Sequence, residues 1–489
     1  MGRVRPVVIQ GGMGVAVSSW PLASAVSRAG QLGVVSGTAL DVVLARRLQD
    51  GDVGGHLRRA LARFPLADVA ERALARYFRP DGRAGGTGYR PVPKLTLRPS
   101  SHAQELTVLG NFVEVFLAKE DHDGPIGVNY LEKIQMATPA AVYGAMMAGV
   151  DYVLMGAGIP REIPQLLNRL ARHEAASIRV DVAGSQRQHT IGVDPTAWAG
   201  TARQPLNRPY FLAIVSSDTL AAYLAREDAS RPDGFVVEGP SAGGHNAPPR
   251  GRLSVDLAGQ PIYGPRDVVD LQRMAALDLP FWLAGSSGTP ERLAQARAAG
   301  AAGIQVGTIF ALCSESGLTS DLRTALLSAL GDGVLDVRTD AALSPTGFPF
   351  KVAQLAGTLA DPTAREARSR LCDLGYLRTP YLRGNGNVGY RCPGEPIRTF
   401  LDKGGTVDQT RGVACLCNAL TADVGLSQTR PDGYTELPLV TLGTDLDGAR
   451  RLLADHPGGW TAAQATRWLT GGTNLTVRGV ERQPAFAQS

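Results

Sequence analysis

Lysine is nearly missing from this 489-residue chain: 5 of its 50 basic residues are lysine and 45 are arginine. The arginines are scattered, many beside Asp or Glu, and no basic block is interleaved with the few aromatics, which make up 6% of the chain. A net charge of +5 distributed in this way argues against a nucleic-acid partner. No run approaches 18 consecutive apolar residues, so no membrane-spanning helix is expected. The opening MGRVRPVVIQGGMG enters a strand-like run at once and breaks on glycines. That leaves no room for a signal peptide and makes a cytoplasmic location the default expectation. Cysteine is scarce as well. Of five, Cys313 stands alone, while Cys372, Cys392, Cys415 and Cys417 crowd near the C-terminus.

What the chain does have is a packed-protein composition, 44% hydrophobic and 19% charged, which excludes a mainly disordered chain. Its 58 glycines gather where strand-like runs end, the places where a backbone can approach a phosphate. Short apolar runs alternate with helical patterns, as a parallel α/β protein requires. Eight such runs fall at 6–10, 32–36, 125–129, 152–155, 210–216, 234–237, 280–284 and 303–306. Eight strands with helices between them predict a (β/α)8 TIM barrel. The competing doubly wound sheet would place its phosphate glycines after the first strand, with an acidic residue about twenty further on. Here the glycine-rich ends recur after strands six, seven and eight instead.

Two interruptions divide the barrel pattern. Residues 39–124 read as a mainly helical insertion, and residues 174–209 carry SIRVDV and HTIGVDP, the halves of a β-hairpin outside the main sheet. Behind strand six a helix is expected over Pro265–Ala276. The barrel is assigned to residues 1–335. Residues 336–489 read as a cysteine-containing C-terminal extension packed on it, ending in helix Thr461–Leu469 and a frayed polar tail.

Three strand ends share one chemistry: VVEGPSAGGH, WLAGSSG and QVGTIF. One glycine pair is a tight βα turn; three at successive strand ends point to a phosphate cradle of backbone N–H groups and hydroxyls. Together with QGGMG after strand one, GVN on strand three and GAG after strand four, these motifs resemble the nitronate monooxygenase (2-nitropropane dioxygenase) family. The related FMN-dependent enoyl-ACP reductases share them. The resemblance implies a TIM barrel holding FMN at its C-terminal mouth. It implies Gly12, Met13 and Asn129 beside the isoalloxazine or ribityl, and Gly243, Gly244, Gly285, Ser286, Gly307 and Thr308 at the phosphate. Where the family often has Ala-Gly-Gly after strand seven, this chain has Ala284-Gly285-Ser286, whose hydroxyl can still donate.

His245 follows the AGG turn and presents an imidazole to the pocket, able to take or give a proton near neutral pH. The resemblance implies the catalytic histidine; the plainer role is to orient the loop or the flavin. The other six histidines, at 56, 102, 122, 173, 189 and 456, read as solvated. Glu238 opens the same loop, either as a flavin ligand or as a strand-end carboxylate satisfied by backbone. Lys133 either approaches the flavin or an acidic substrate, or is a solvated helix-entry residue. Arg250 either rims the substrate entrance, meeting a carboxylate or a thioester phosphate, or belongs to a structural loop.

Four thiols near turns could hold zinc or an iron–sulfur cluster through Cys372, Cys392, Cys415 and Cys417. The spacing C-x19-C-x22-C-x-C is neither a zinc-ribbon nor a ferredoxin pattern, and buried unliganded cysteines are the plain alternative. Cys313 reads as a packed core thiol. The leading functional expectation is FMN-dependent, nitronate monooxygenase-like oxidation of a small organic substrate with O2. An NAD(P)H-dependent enoyl-thioester reductase is the alternative, and a flavin-binding subunit of a multienzyme assembly is a third. A homodimer or an acyl-carrier partner fits these readings.

Overall fold

In the computed structural model, which describes residues 4–198, 204–472 and 476–478, the eight expected strands form one parallel sheet. They are β1 (Val8–Gln10), β2 (Gly33–Ser36), β3 (Ile126–Leu131), β4 (Tyr152–Gly156), β5 (Tyr210–Val215), β6 (Gly234–Glu238), β7 (Phe281–Ala284) and β8 (Gly303–Val306). Each strand neighbours the next in sequence and β8 pairs with β1. An Ile9–Leu32 bridge then joins β1 to the start of β2 and closes the barrel. Side chains reinforce that seam. The buried Gln10 side chain accepts from Val34 N at 3.0 Å and donates to Val34 O at 3.1 Å. Gln31 Oε1 accepts from Val7 N and Val8 N.

The strands are apolar at nearly every position because both faces are covered. Alternation divides them between two cores. Ile9, Val34, Leu154, Leu212, Ile214, Val236 and Trp282 fill the barrel interior, while Val8, Val35, Val128, Val153, Phe211, Phe235 and Ile304 meet the helices. Gly33 and Gly303 mark the tightest crossings: a Cβ on either would fall 1.9 Å from a backbone oxygen, of Ala23 and Val7 respectively.

Helix Ser101–Lys119, N-capped by Ser100, packs against the helices Trp20–Arg28 and Thr138–Met147 and so takes the place of the barrel's second helix. Residues 176–180 and 189–193 form the expected antiparallel hairpin. The helix expected over Pro265–Ala276 is broken. It consists of a single 3-10 turn, Pro265–Asp267, and a short helix, Leu271–Ala275, which Asp270 restarts by accepting from Gln272 N and Arg273 N. Described residues after 340 reach back to the barrel mouth, where Thr441, Leu442 and Gly443 join the cleft wall. Strand Phe350–Ala353 pairs with Val337–Asp340, and helix Ala462–Leu469 packs against Trp20–Arg28. Tyr376 of this region donates its hydroxyl to the buried Asp41 of the insertion. The polar tail beyond residue 478 lies outside the described residues. No described helix is long and apolar enough to cross a membrane.

Candidate active site

The C-terminal ends of the barrel strands open into one large cleft, with about 1480 Å³ of empty space continuous with solvent. All eleven residues singled out for the barrel site line it: Gly12 and Met13 after β1, Asn129 on β3, Glu238 on β6, Gly243, Gly244 and His245 beyond it, Gly285 and Ser286 after β7, Gly307 and Thr308 after β8. Shared strand polarity explains the convergence, since every parallel strand delivers its following loop to the same end of the barrel.

The turns need their residue types. Gly12 sits so close to β3 that a Cβ there would lie 2.4 Å from Asn129 Cβ. Gly285 and Ser286 both have positive φ, +84° and +49°. A glycine at position 286 would adopt this left-handed backbone without strain; here Ser286 adopts it and donates to Ser241 Oγ at 2.8 Å. Two buried amide oxygens on the cleft wall, Asn129 Oδ1 and Gln305 Oε1, have no hydrogen-bond partner among the described residues. Acceptors left open in this way suit a ligand bearing N–H or O–H groups.

The C-terminal extension completes the site, and sequence reasoning missed this. Strand Phe350–Ala353 docks on the loop after β6. Lys351 N donates to Gly244 O and Asn246 N to Pro349 O, both at 2.9 Å. Phe350 lies edge-on to the His245 ring, with centroids 4.8 Å apart. His245 Nε2 is 2.7 Å from Ser344 Oγ. Two of the expected phosphate donors are engaged by the same region: Gly244 N donates to Thr441 Oγ1 at 2.7 Å, and Thr308 Oγ1 accepts from Gly443 N at 2.9 Å. The available signal was lysine scarcity, which drew attention to Lys133 but applied equally to Lys351 in SPTGFPFKVAQL.

Charge in the site is unusual. Burial, and then the nearby Lys133 ammonium, holds His245 down to about 4, so its imidazole is neutral at ordinary pH. Burial pushes Glu238 up to about 7 against the pull of Lys351, whose own amine burial brings down to about 8. Lys133 is exposed, with its ammonium 4.6 Å from the Phe348 ring centroid. Arg250 belongs to the loop structure: its guanidinium donates to Arg266 O and Ser216 O. The other six histidines lie outside the cleft, and not all are simply solvated. His102 and His173 lie 3.1 and 3.0 Å from the hydroxyls of Tyr77 and Tyr143, and His122 Nε2 lies 2.7 Å from Ala118 O.

These shifts give opposed pH slopes. A histidine with a depressed folded pKa adds stability above about pH 6.5 and loses it as pH falls through about 4. A carboxyl with a raised folded pKa adds stability below about pH 4.5 and loses it as pH rises through about 7. Glu238→Gln removes the second slope alone. Relative to the native sequence, that variant should lose about 3 kcal/mol of stability on going from neutral pH to about pH 4.5. Denaturant unfolding across that range checks this, and a difference independent of pH would show that Glu238 is not held protonated.

Neither zinc nor an iron–sulfur cluster is shown at the four C-terminal cysteines. Among the described residues no group of three or more His, Cys, Asp or Glu is arranged to hold one metal ion. Cys372, Cys392, Cys415 and Cys417 instead stand around a second, small cavity. Cys313 is a buried core thiol, donating to Ile309 O at 3.4 Å.

Comparison with known proteins agrees with the barrel motifs. Residues 118–340 match the nitronate monooxygenase family model. The resemblance read from the strand-end motifs is thereby borne out over that stretch, which is under half of the chain. Similar solved structures include FabK from Thermotoga maritima, at 16% identity over 96% of this chain and 93% of that one, with a TM-score of 0.46. A nitroalkane oxidase from Streptomyces ansochromogenes aligns at 16% identity over 96% of each chain, TM-score 0.45. The enoyl reductase domain of MlnA from the macrolactin biosynthesis cluster of Bacillus amyloliquefaciens aligns at 13% identity, covering 96% and 94%, TM-score 0.47. No curated protein matches the chain.

Proposed function

We propose that this nitronate monooxygenase-family barrel holds FMN and oxidises a small anionic, nitronate-type substrate with O2. The observation that carries this reading is the neutral, half-buried His245 with a lysine ammonium close by. Two of the chain's five lysines, Lys133 and Lys351, act on His245 and Glu238 respectively, and of the two carboxyls on the cleft wall, Glu238 and Asp445, Glu238 is held largely protonated up to about pH 7. A pocket of that polarity attracts an anion. Binding an anion beside His245 raises the imidazole pKa, so the ring can take up a proton from solvent and donate it in a hydrogen bond to the bound anion.

The residues fit FMN. Asn129 Oδ1 and Gln305 Oε1 offer open acceptors, and the turns at 243, 285–287 and 307–308 bring backbone N–H groups and the Thr308 hydroxyl to the cleft wall, Gly244 N being already bonded to Thr441. Bound FMN would supply the redox chemistry, taking electrons from the substrate and passing them to O2. The chain's own part is to bind the substrate anion, keep the loop after β6 rigid through strand Phe350–Ala353, and move a proton at His245. Gly12→Ala is expected to lower FMN content at least about tenfold, because its Cβ cannot coexist with Asn129 in place. Flavin released on denaturing the purified variant measures this.

A second reading, enoyl-thioester reduction with NAD(P)H, is favoured by the loop that leaves His245. Leu253, Val255, Leu257 and Ile262 are exposed there, among Arg252 and Arg266. An exposed apolar loop carrying arginines is a surface on which a partner such as an acyl-carrier protein could dock. Anaerobic mixing separates the readings. The yellow protein should bleach with a nitronate; rapid bleaching by NAD(P)H alone would overturn the oxidation reading and establish the reductase. If neither reduces the flavin, the reading as a flavin-binding subunit of a larger assembly takes its place.

A further inference from the structure

We propose that Cys372, Cys392, Cys415 and Cys417 form the binding site of an iron–sulfur cluster of the four-iron cubane type, at the junction of three segments of the C-terminal extension.

Four cysteines spread over 46 residues of sequence come to the wall of a single cavity. The rest of that wall is Pro345, glycines and leucines, with no carboxylate, hydroxyl or histidine. The chain reaches the cavity from three directions: the loop through 370–377, the turn after strand Val388–Arg391, and the start of helix Leu416–Ala422. None of the four is in a disulfide. A cavity lined by thiols and aliphatic carbon offers water nothing to bond to, and random packing seldom brings most of a chain's cysteines to one void.

Two further observations point to the kind of ligand. The first is spacing. A single zinc ion requires its thiolates within about 2.3 Å of one point, and no three of these thiols are so arranged. A cubane takes one thiolate at each of its irons, so its cysteines stand around a cavity rather than at a point. That is the arrangement found here. The second is hydrogen bonding. Asn418 Nδ2 donates to Cys415 Sγ at 3.5 Å. Amide donors to cysteine sulfur are one of the levers by which a protein holds and tunes an iron–sulfur cluster.

Charges of both signs face the thiols: Lys94, Arg378 and Glu395 at Cys372, Arg368 and Glu436 at Cys415, and Arg370 and Glu395 at Cys392. Lys94 comes from the insertion and donates to Cys372 O at 2.6 Å, so the insertion reaches the rim of this site. Helix Leu416–Ala422, which starts at the cysteines, carries Leu420 to the wall of the main cleft. The cluster would therefore cross-link the three segments that cover the barrel mouth. This inference stands apart from the identity of the flavin substrate.

The test is iron and acid-labile sulfide in the full-length chain, purified anaerobically and reconstituted with ferrous iron and sulfide before desalting. About four of each per chain are expected, with a broad visible absorption beneath the flavin bands that dithionite bleaches. In Cys372→Ser/Cys417→Ser both contents should fall below one per chain, while Cys313→Ser keeps both. Retained FMN reports whether the double variant is folded. Should it misfold, alkylation of the native sequence decides: four thiols should be protected by reconstitution and released by chelation under reduction. No iron and sulfide after reconstitution, one zinc per chain instead, a disulfide within the quartet, or equal loss in Cys313→Ser would each overturn the proposal.

Discussion

Replacing His245 by Ala is expected to leave FMN bound and to slow turnover at least about 100-fold, the usual loss when a positioned acid–base group is removed. The two halves of that expectation have separate origins. Gly12, Gly285, Gly307, Asn129 and Gln305 come from other strand ends, and the substitution leaves the backbone of Gly243 and Gly244 in place, so the flavin site should survive. The ring itself is fixed on two sides by the extension, through Ser344 Oγ at 2.7 Å and the Phe350 edge contact. Ser344→Ala removes the hydrogen bond and keeps the base, so its loss should be far smaller. Steady-state turnover beside the flavin spectrum of each variant checks both. Unchanged turnover in His245→Ala would assign the ring to loop packing alone.

The barrel was legible because its strands are buried on both faces and therefore apolar throughout, and because parallel strands carry their loops to one end. The motifs QGGMG, GVN, EGPSAGGH, AGSSG and QVGT consequently meet in the cleft. What was not legible depends on contacts remote in sequence. Lys351 and Thr441 approach Gly244 from about 100 and 200 residues away, through backbone bonds that leave no periodic trace. Helix Ser101–Lys119 reads as insertion because so much chain precedes it, yet it packs where the second barrel helix belongs. The expected helix over Pro265–Ala276 has apolar spacing, but Asp270 caps a new start in its middle. The cysteine spacing matched no familiar pattern because the hairpin Thr379–Leu382/Val388–Arg391 folds the intervening chain away before Cys392 returns.

The extension rests on a buried ion pair, and breaking it should give the largest loss of stability. Arg368 and Glu436 are 5% and 1% exposed and form two parallel hydrogen bonds, at 2.7 and 2.8 Å. They tie the segment leading to Cys372 to the segment that continues to Thr441 and Gly443 on the barrel glycines. Arg368→Met keeps the packing volume but leaves Glu436 with Arg430 alone. Removing one partner of a buried pair costs about 3–5 kcal/mol, and the remaining Arg430 contact places this variant at about 3. Arg368→Met/Glu436→Gln should recover much of that loss, since it removes the uncompensated charge while Arg430 keeps Asp373 as its partner. Denaturant midpoints of the two variants, read with the flavin signal, distinguish an extension that holds the site in place from one that only covers it. If the extension fixes the loop after β6, the single variant should lose both stability and the depressed pKa of His245. If it is only a cover, stability should fall while the flavin signal and the His245 titration stay as they were.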